Sequence, residues 1–94
     1  MANVEEYEAE LTRIKEELAE HADQVSVRGK SSGSFVFALM DDGCAVEISR
    51  SASSWWLEFW EASSDPKAPS VGEAEVGSGS EAVAKAIAWL SRRR

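Results

Sequence analysis

The apolar residues of this chain change their spacing twice, and that switch constrains the fold more than any other feature. Between Val4 and Ala22 they recur at helical intervals, with Val4, Tyr7, Leu11, Ile14 and Leu18 forming one stripe. From Val25 to Ala62 the interval drops to two, as expected of strands that bury one face. From Val83 it returns to the helical spacing, through Ala86, Ile87 and Leu90. This order predicts an α+β fold built as a two-layer sandwich. An antiparallel meander of four to five strands carries the N- and C-terminal helices on one face, in the order α-β-β-β-β-β-α. The 94 residues are enough for one hydrophobic core, so residues 1–94 read as a single α+β domain.

Punctuation between the periodic segments supports that order. Asn3 is an expected N-cap for the first helix, and Glu5, Glu6 and Glu8 sit where the helix dipole favours acids. The stripe also fits a short heptad seam, but the strands that follow need a cover, so packing on the chain's own sheet is expected. The segment from Gly29 to Gly33 reads as a turn, and Asp42-Gly43 as a two-residue hairpin loop. Residues 51–54 read as a loop between strands at 44–50 and 55–62. A polar stretch with Pro66 and Pro69 precedes a weaker fifth strand at 71–76, whose pairing the sequence leaves open. Ser80 is the expected N-cap of the last helix, and Arg92 to Arg94 complement its C-terminal dipole.

These turn lengths specify a register. With a two-residue loop at Asp42-Gly43, Leu39 faces Val46 and Phe37 faces Ile48; the 51–54 loop sets Ile48 against Leu57 and Val46 against Phe59. A five-residue loop at 29–33 sets Val27 against Phe35 and Val25 against Phe37. The bulkiest apolar residues then share the helix-covered face. The opposite face receives Val36, Ala38 and Met40 on one strand and Ala45, Glu47 and Ser49 on the next. Trp56, Glu58 and Trp60 follow, with Glu73 and Glu75 beyond them if the fifth strand pairs. Glu47 stands across from Glu58, a like-charge pairing that costs stability. An uncovered apolar patch with charge around it marks an interface, so Val36, Met40, Glu47, Trp56, Glu58 and Trp60 are the candidate interaction residues. The competing reading is that Trp56 and Trp60 tuck under the 63–69 loop or the chain ends.

Charge and composition narrow the function classes. The chain carries 17 acidic and 10 basic residues, a net charge of −7, which repels phosphate backbones and disfavours nucleic-acid binding. No apolar run is long enough to span a bilayer, and the first residues lack a signal-peptide core, so a cytoplasmic protein without membrane contact is expected. The single cysteine, Cys44, allows no internal disulfide, and no metal-ligand spacing is present, so neither metal nor cofactor is expected.

Chemical motifs are incomplete. Gly29-Lys30-Ser31-Ser32-Gly33 spells G-x-S-x-G, but a strand follows it and the only histidine, His21, lies upstream. The same residues echo a P-loop end, yet Gln24 occupies the position of the first glycine and no helix follows. Ser64 and Lys67 have S-x-x-K spacing in a proline loop, where the motif requires a helix. His21 reads as a helix-end residue and Cys44 as a small half-buried side chain without a cation to activate it. Trp55 is expected at the core rim beside Arg50, and Trp89 at the edge of the last helix's stripe. The expected function is therefore a non-catalytic protein-interaction module that uses the open sheet face, either with a basic protein partner or as a homodimer. A small-ligand module built on the tryptophans and carboxylates is the alternative, ahead of an enzyme of unrecognised activity.

Overall fold

A computed structural model of the chain describes residues 4–29, 34–51, 53–63, 65 and 67–91. Its elements are α1 (Val4–Leu18), β1 (Gln24–Arg28), β2 (Phe35–Leu39), β3 (Ala45–Ser51), β4 (Ser54–Trp60), β5 (Gly72–Val76) and α2 (Gly79–Ser91). The strands form one antiparallel sheet in the order β1-β2-β3-β4-β5, so the predicted meander is present and the fifth strand pairs with β4. Both helices lie on one face, α1 over β1 and β2, α2 over β3, β4 and β5, and they also pack on each other. Neither helix is long and apolar enough to cross a membrane.

The core follows from the helical stripes and from every second strand residue. Leu11, Ile14 and Leu18 of α1 are fully buried, as are Val46 and Ile48 of β3 and Leu57 of β4. Ala82, Val83, Ala86 and Leu90 supply the α2 side of the same cluster. Each large aliphatic side chain removed from water in this way contributes roughly 1.5–3 kcal/mol. Tyr7 extends the α1 stripe with a polar end: its hydroxyl donates to the Ser34 carbonyl and accepts the Arg50 N–H at 3.2 Å. That pair of bonds ties α1 to the start of β2 and the end of β3.

The β3–β4 register is the expected one, with Val46 opposite Phe59 and Ile48 opposite Leu57. The β2–β3 register differs by one residue. Val36 pairs with Ile48 and Ala38 with Val46, while Phe35, Phe37 and Leu39 pair with Ser49, Glu47 and Ala45. The cause lies in the turn, where the loop is Asp41-Asp42-Gly43, three residues instead of two. Gly43 N–H donates to the Met40 carbonyl at 3.0 Å and Met40 N–H to the Cys44 carbonyl at 2.8 Å. Gly43 has φ +97°, as the bulged third position of such a loop requires. A one-residue slip turns every β2 side chain to the other face. The β1–β2 pairing is offset by one residue as well, Val27 opposite Val36, so the two offsets cancel and Val25 stays on the helix side.

Two further details differ from expectation. The N-cap of α2 is Ser78, whose hydroxyl accepts the Glu81 N–H at 3.2 Å, and the helix starts two residues before Ser80 would have allowed. The β3–β4 connection is tighter than expected, with Ser51 opposite Ser54, at an unchanged register. The expected cap at Asn3, the turn residues 30–33 and the closing arginines lie outside the described residues.

Candidate functional site

The face of the sheet away from the helices is built in three cross-strand rows. Gln24, Leu39, Ala45 and Trp60 form the first, from β1 to β4. Ser26, Phe37, Glu47, Glu58 and Glu73 form the second, across all five strands. Arg28, Phe35, Ser49, Trp56 and Glu75 form the third. Three of the four glutamates thus stand in one line, and Trp60 and Trp56 flank that line on either side along β4.

Of the six residues expected on this face, Glu47, Trp56, Glu58 and Trp60 are here, all partly exposed. Val36 and Met40 are not. The three-residue loop rotates them into the helix-covered core, where they are 0% and 8% exposed. Phe35, Phe37 and Leu39 take their place, which makes the open face more aromatic than a two-residue turn predicts. The signal that points to them is Gly43, which follows two aspartates and suits a three-residue loop as well as a two-residue one. Alternation in β2 carries no information, because Phe35 to Met40 are apolar on both faces.

The aromatic side chains are already organised. Phe37 and Trp60 meet edge to face with ring centres 5.9 Å apart, reaching past the small Ala45. The Arg28 guanidinium lies 4.7 Å above the Phe37 ring. Trp60 is held from behind, since its carbonyl accepts the Trp89 indole N–H at 3.2 Å. Beyond Trp60 the chain turns back towards the β2–β3 turn, and Ser63 N–H donates to the Asp42 carbonyl at 3.0 Å. Between this returning loop and the sheet lies a cleft of roughly 410 Å³, with Phe37, Leu39, Ala45 and Trp60 as its floor and Glu61 and Asp65 at its rim. The loop therefore borders Trp60, while Trp56 lies in the row farther from it.

The glutamate line is electrostatically costly. Among the described residues none of Glu47, Glu58 and Glu73 is in an ion pair, and Glu47 is opposite Glu58, which is opposite Glu73. Burial, and after it the charge of Glu58, hold the Glu47 carboxyl above its ordinary 4.5. A carboxyl raised on folding binds its proton more tightly in the folded state. The resulting penalty is absent below the unfolded value, grows as pH climbs, and is complete above the raised value. Glu47→Gln is therefore expected to stabilise the protein at pH 7 by roughly 0.5 kcal/mol in urea unfolding. The gain should vanish once the pH is taken below 4.5. A gain of the same size at both pH values would show that the charge is not its source.

The remaining sequence candidates fall elsewhere. Cys44 is 1% exposed, its N–H bonded to the Asp42 carboxylate, and belongs to the core. Trp55 is buried under Arg50, 5.3 Å from ring to guanidinium, and Trp89 packs on Phe59 of the core side. Among the described residues no group of three or more His, Cys, Asp or Glu is placed to hold a metal ion. In the G-x-S-x-G segment Gly29, with φ +90°, leads towards a strand, not a helix. Comparison with protein-family models, curated proteins and solved structures finds no match to this chain.

Proposed function

We propose that this domain is a non-catalytic interaction module that binds a basic protein partner across the open face of its sheet. The observation that carries the reading is the line Glu47–Glu58–Glu73 set between Trp56 and Trp60. Like charges in directly opposed strand positions cost stability, and aromatic side chains beside them supply contact area with little entropy to lose. A cationic surface laid on this face relieves the repulsion and covers the rings together. A second copy of the chain suits the face less well. It brings the same glutamate line, and Arg28, the cation among the described residues of the three rows, is already seated on Phe37.

One substitution separates this reading from a purely structural role for the glutamates. Glu58→Lys places a cation between Glu47 and Glu73, so it is expected to raise the midpoint of thermal unfolding. The same change is expected to weaken binding of short arginine- and lysine-rich peptides, followed by tryptophan fluorescence, about tenfold or more. Wild-type binding should fall as salt rises from about 50 to 300 mM, and acidic peptides of equal length should not bind. Binding that survives Glu58→Lys overturns the proposal. So does light scattering that shows a dimer which Trp60→Glu converts to a monomer, because the face then belongs to a second copy.

A further inference from the structure

We infer that the cleft beside Trp60 is the anchor pocket of this surface, and that it takes an arginine side chain of the basic partner; the inference rests on the interaction reading above. Its floor is apolar and aromatic, from Phe37, Leu39, Ala45 and Trp60, and the acidic residues Glu61 and Asp65 complete its lining. A pocket of roughly 410 Å³ has room for a whole long side chain. The combination selects for a guanidinium. Its flat face stacks on an indole while its edge donates to a carboxylate, and it is shed from water more easily than an ammonium.

The molecule uses this chemistry once for an arginine of its own, and stacks a second arginine on an aromatic ring without an acid. Arg50 lies 5.3 Å from the Trp55 ring and 3.3 Å from the Glu10 carboxylate, an indole and an acid acting on one guanidinium. Arg28 covers Phe37 at 4.7 Å. At the cleft an indole and two acids stand together again, in a domain whose net charge of −7 draws cations to it. The hydrogen bonds of the returning loop also favour a fixed pocket. Ser63 N–H donates to the Asp42 carbonyl, which ties the loop to the β2–β3 turn, and the Asp65 carboxylate accepts the Lys67 N–H at 2.9 Å within the loop.

The test uses the intact chain, isotope-labelled, and three capped tripeptides that differ in their central residue: arginine, lysine, or citrulline, the neutral isostere of arginine. The arginine peptide is expected to shift the Trp60 indole and Ala45 amide signals along saturating curves. The lysine peptide should bind about fivefold more weakly and the citrulline peptide more weakly still. Asp65→Asn, which keeps an oxygen for the Lys67 N–H, should weaken the arginine peptide about threefold with an unchanged spectrum elsewhere. Citrulline binding as well as arginine, or Asp65→Asn without effect, overturns the pocket's charge selection. Saturating shifts centred on Trp56 and Glu58 overturn the cleft as anchor while leaving the basic partner standing. The absence of saturable shifts with all three peptides overturns the anchor outright, and the longer basic peptides then decide separately whether the face binds at all.

Discussion

Val36→Asp is expected to leave the protein unfolded, while Phe35→Asp, one residue earlier, is expected to leave it folded. Val36 is fully buried between Val27 and Ile48 on the helix side of the sheet. A carboxylate there lies in the apolar core cluster, and an unpaired buried charge costs several kcal/mol at least. A domain of this size holds about 5–15 kcal/mol in total, and core substitutions of this kind reach or exceed the low end. Phe35 points the other way, pairs with Ser49 and keeps part of its ring in water. Its replacement gives up partial burial of one ring, about 1 kcal/mol. Far-UV circular dichroism and urea unfolding of the two variants read the difference directly. The reverse outcome, with Phe35→Asp unfolded and Val36→Asp folded, would falsify the β2 register and return Val36 and Met40 to the open face.

That pair of variants sits where sequence and structure part. The helices were legible because Leu11, Ile14 and Leu18 are apolar among charged neighbours, so only one face of α1 can be buried. The β3–β4 pairing was legible for a similar reason: Glu47 and Ser49 alternate with Val46 and Ile48, and Glu58 with Leu57 and Phe59. Four of the six expected surface residues follow from those two strands. In β2 the alternation is between apolar and apolar, from Phe35 to Met40, and the face is then decided by the length of one turn. Ring size points the wrong way, since Phe35 and Phe37 are larger than Val36 and Ala38 yet lie outside the core. Beneath α1, Val36 and Ala38 share one buried cluster with Leu11, Ile14 and Leu18. The cleft was not legible at all. It exists because the chain after Trp60 folds back on the β2–β3 turn, through a backbone contact between Ser63 and Asp42 that no side-chain pattern announces.

Gly43→Ala is expected to destabilise the protein by about 3 kcal/mol, the sum of a strained backbone and a steric clash. At φ +97° a residue with a Cβ carries a penalty of about 1–2 kcal/mol. The clash comes on top of it. A Cβ at Gly43 would stand 2.3 Å from the Ser63 carbonyl oxygen and 2.8 Å from its nitrogen, and backbone atoms have no rotamer by which to leave. For a domain of this length the change corresponds to a fall of roughly 12–24 °C in the unfolding midpoint. Gly72→Ala is the control. Its Cβ would meet only the Phe59 ring, at 3.8 Å, so the change should be nearly neutral or slightly stabilising. The variant also reaches the proposed pocket, because the backbone excluded by the new methyl is the one that carries its rim between Glu61 and Asp65. If Gly43→Ala is folded at low temperature, it should bind the arginine peptide more weakly even though none of the pocket's aromatic or acidic groups has changed. An alanine tolerated at position 43 as well as at position 72 would mean that Ser63 does not lie against this turn. The same glycine therefore tests two things: the three-residue loop that turns Phe37 outward, and the return of the chain that encloses it.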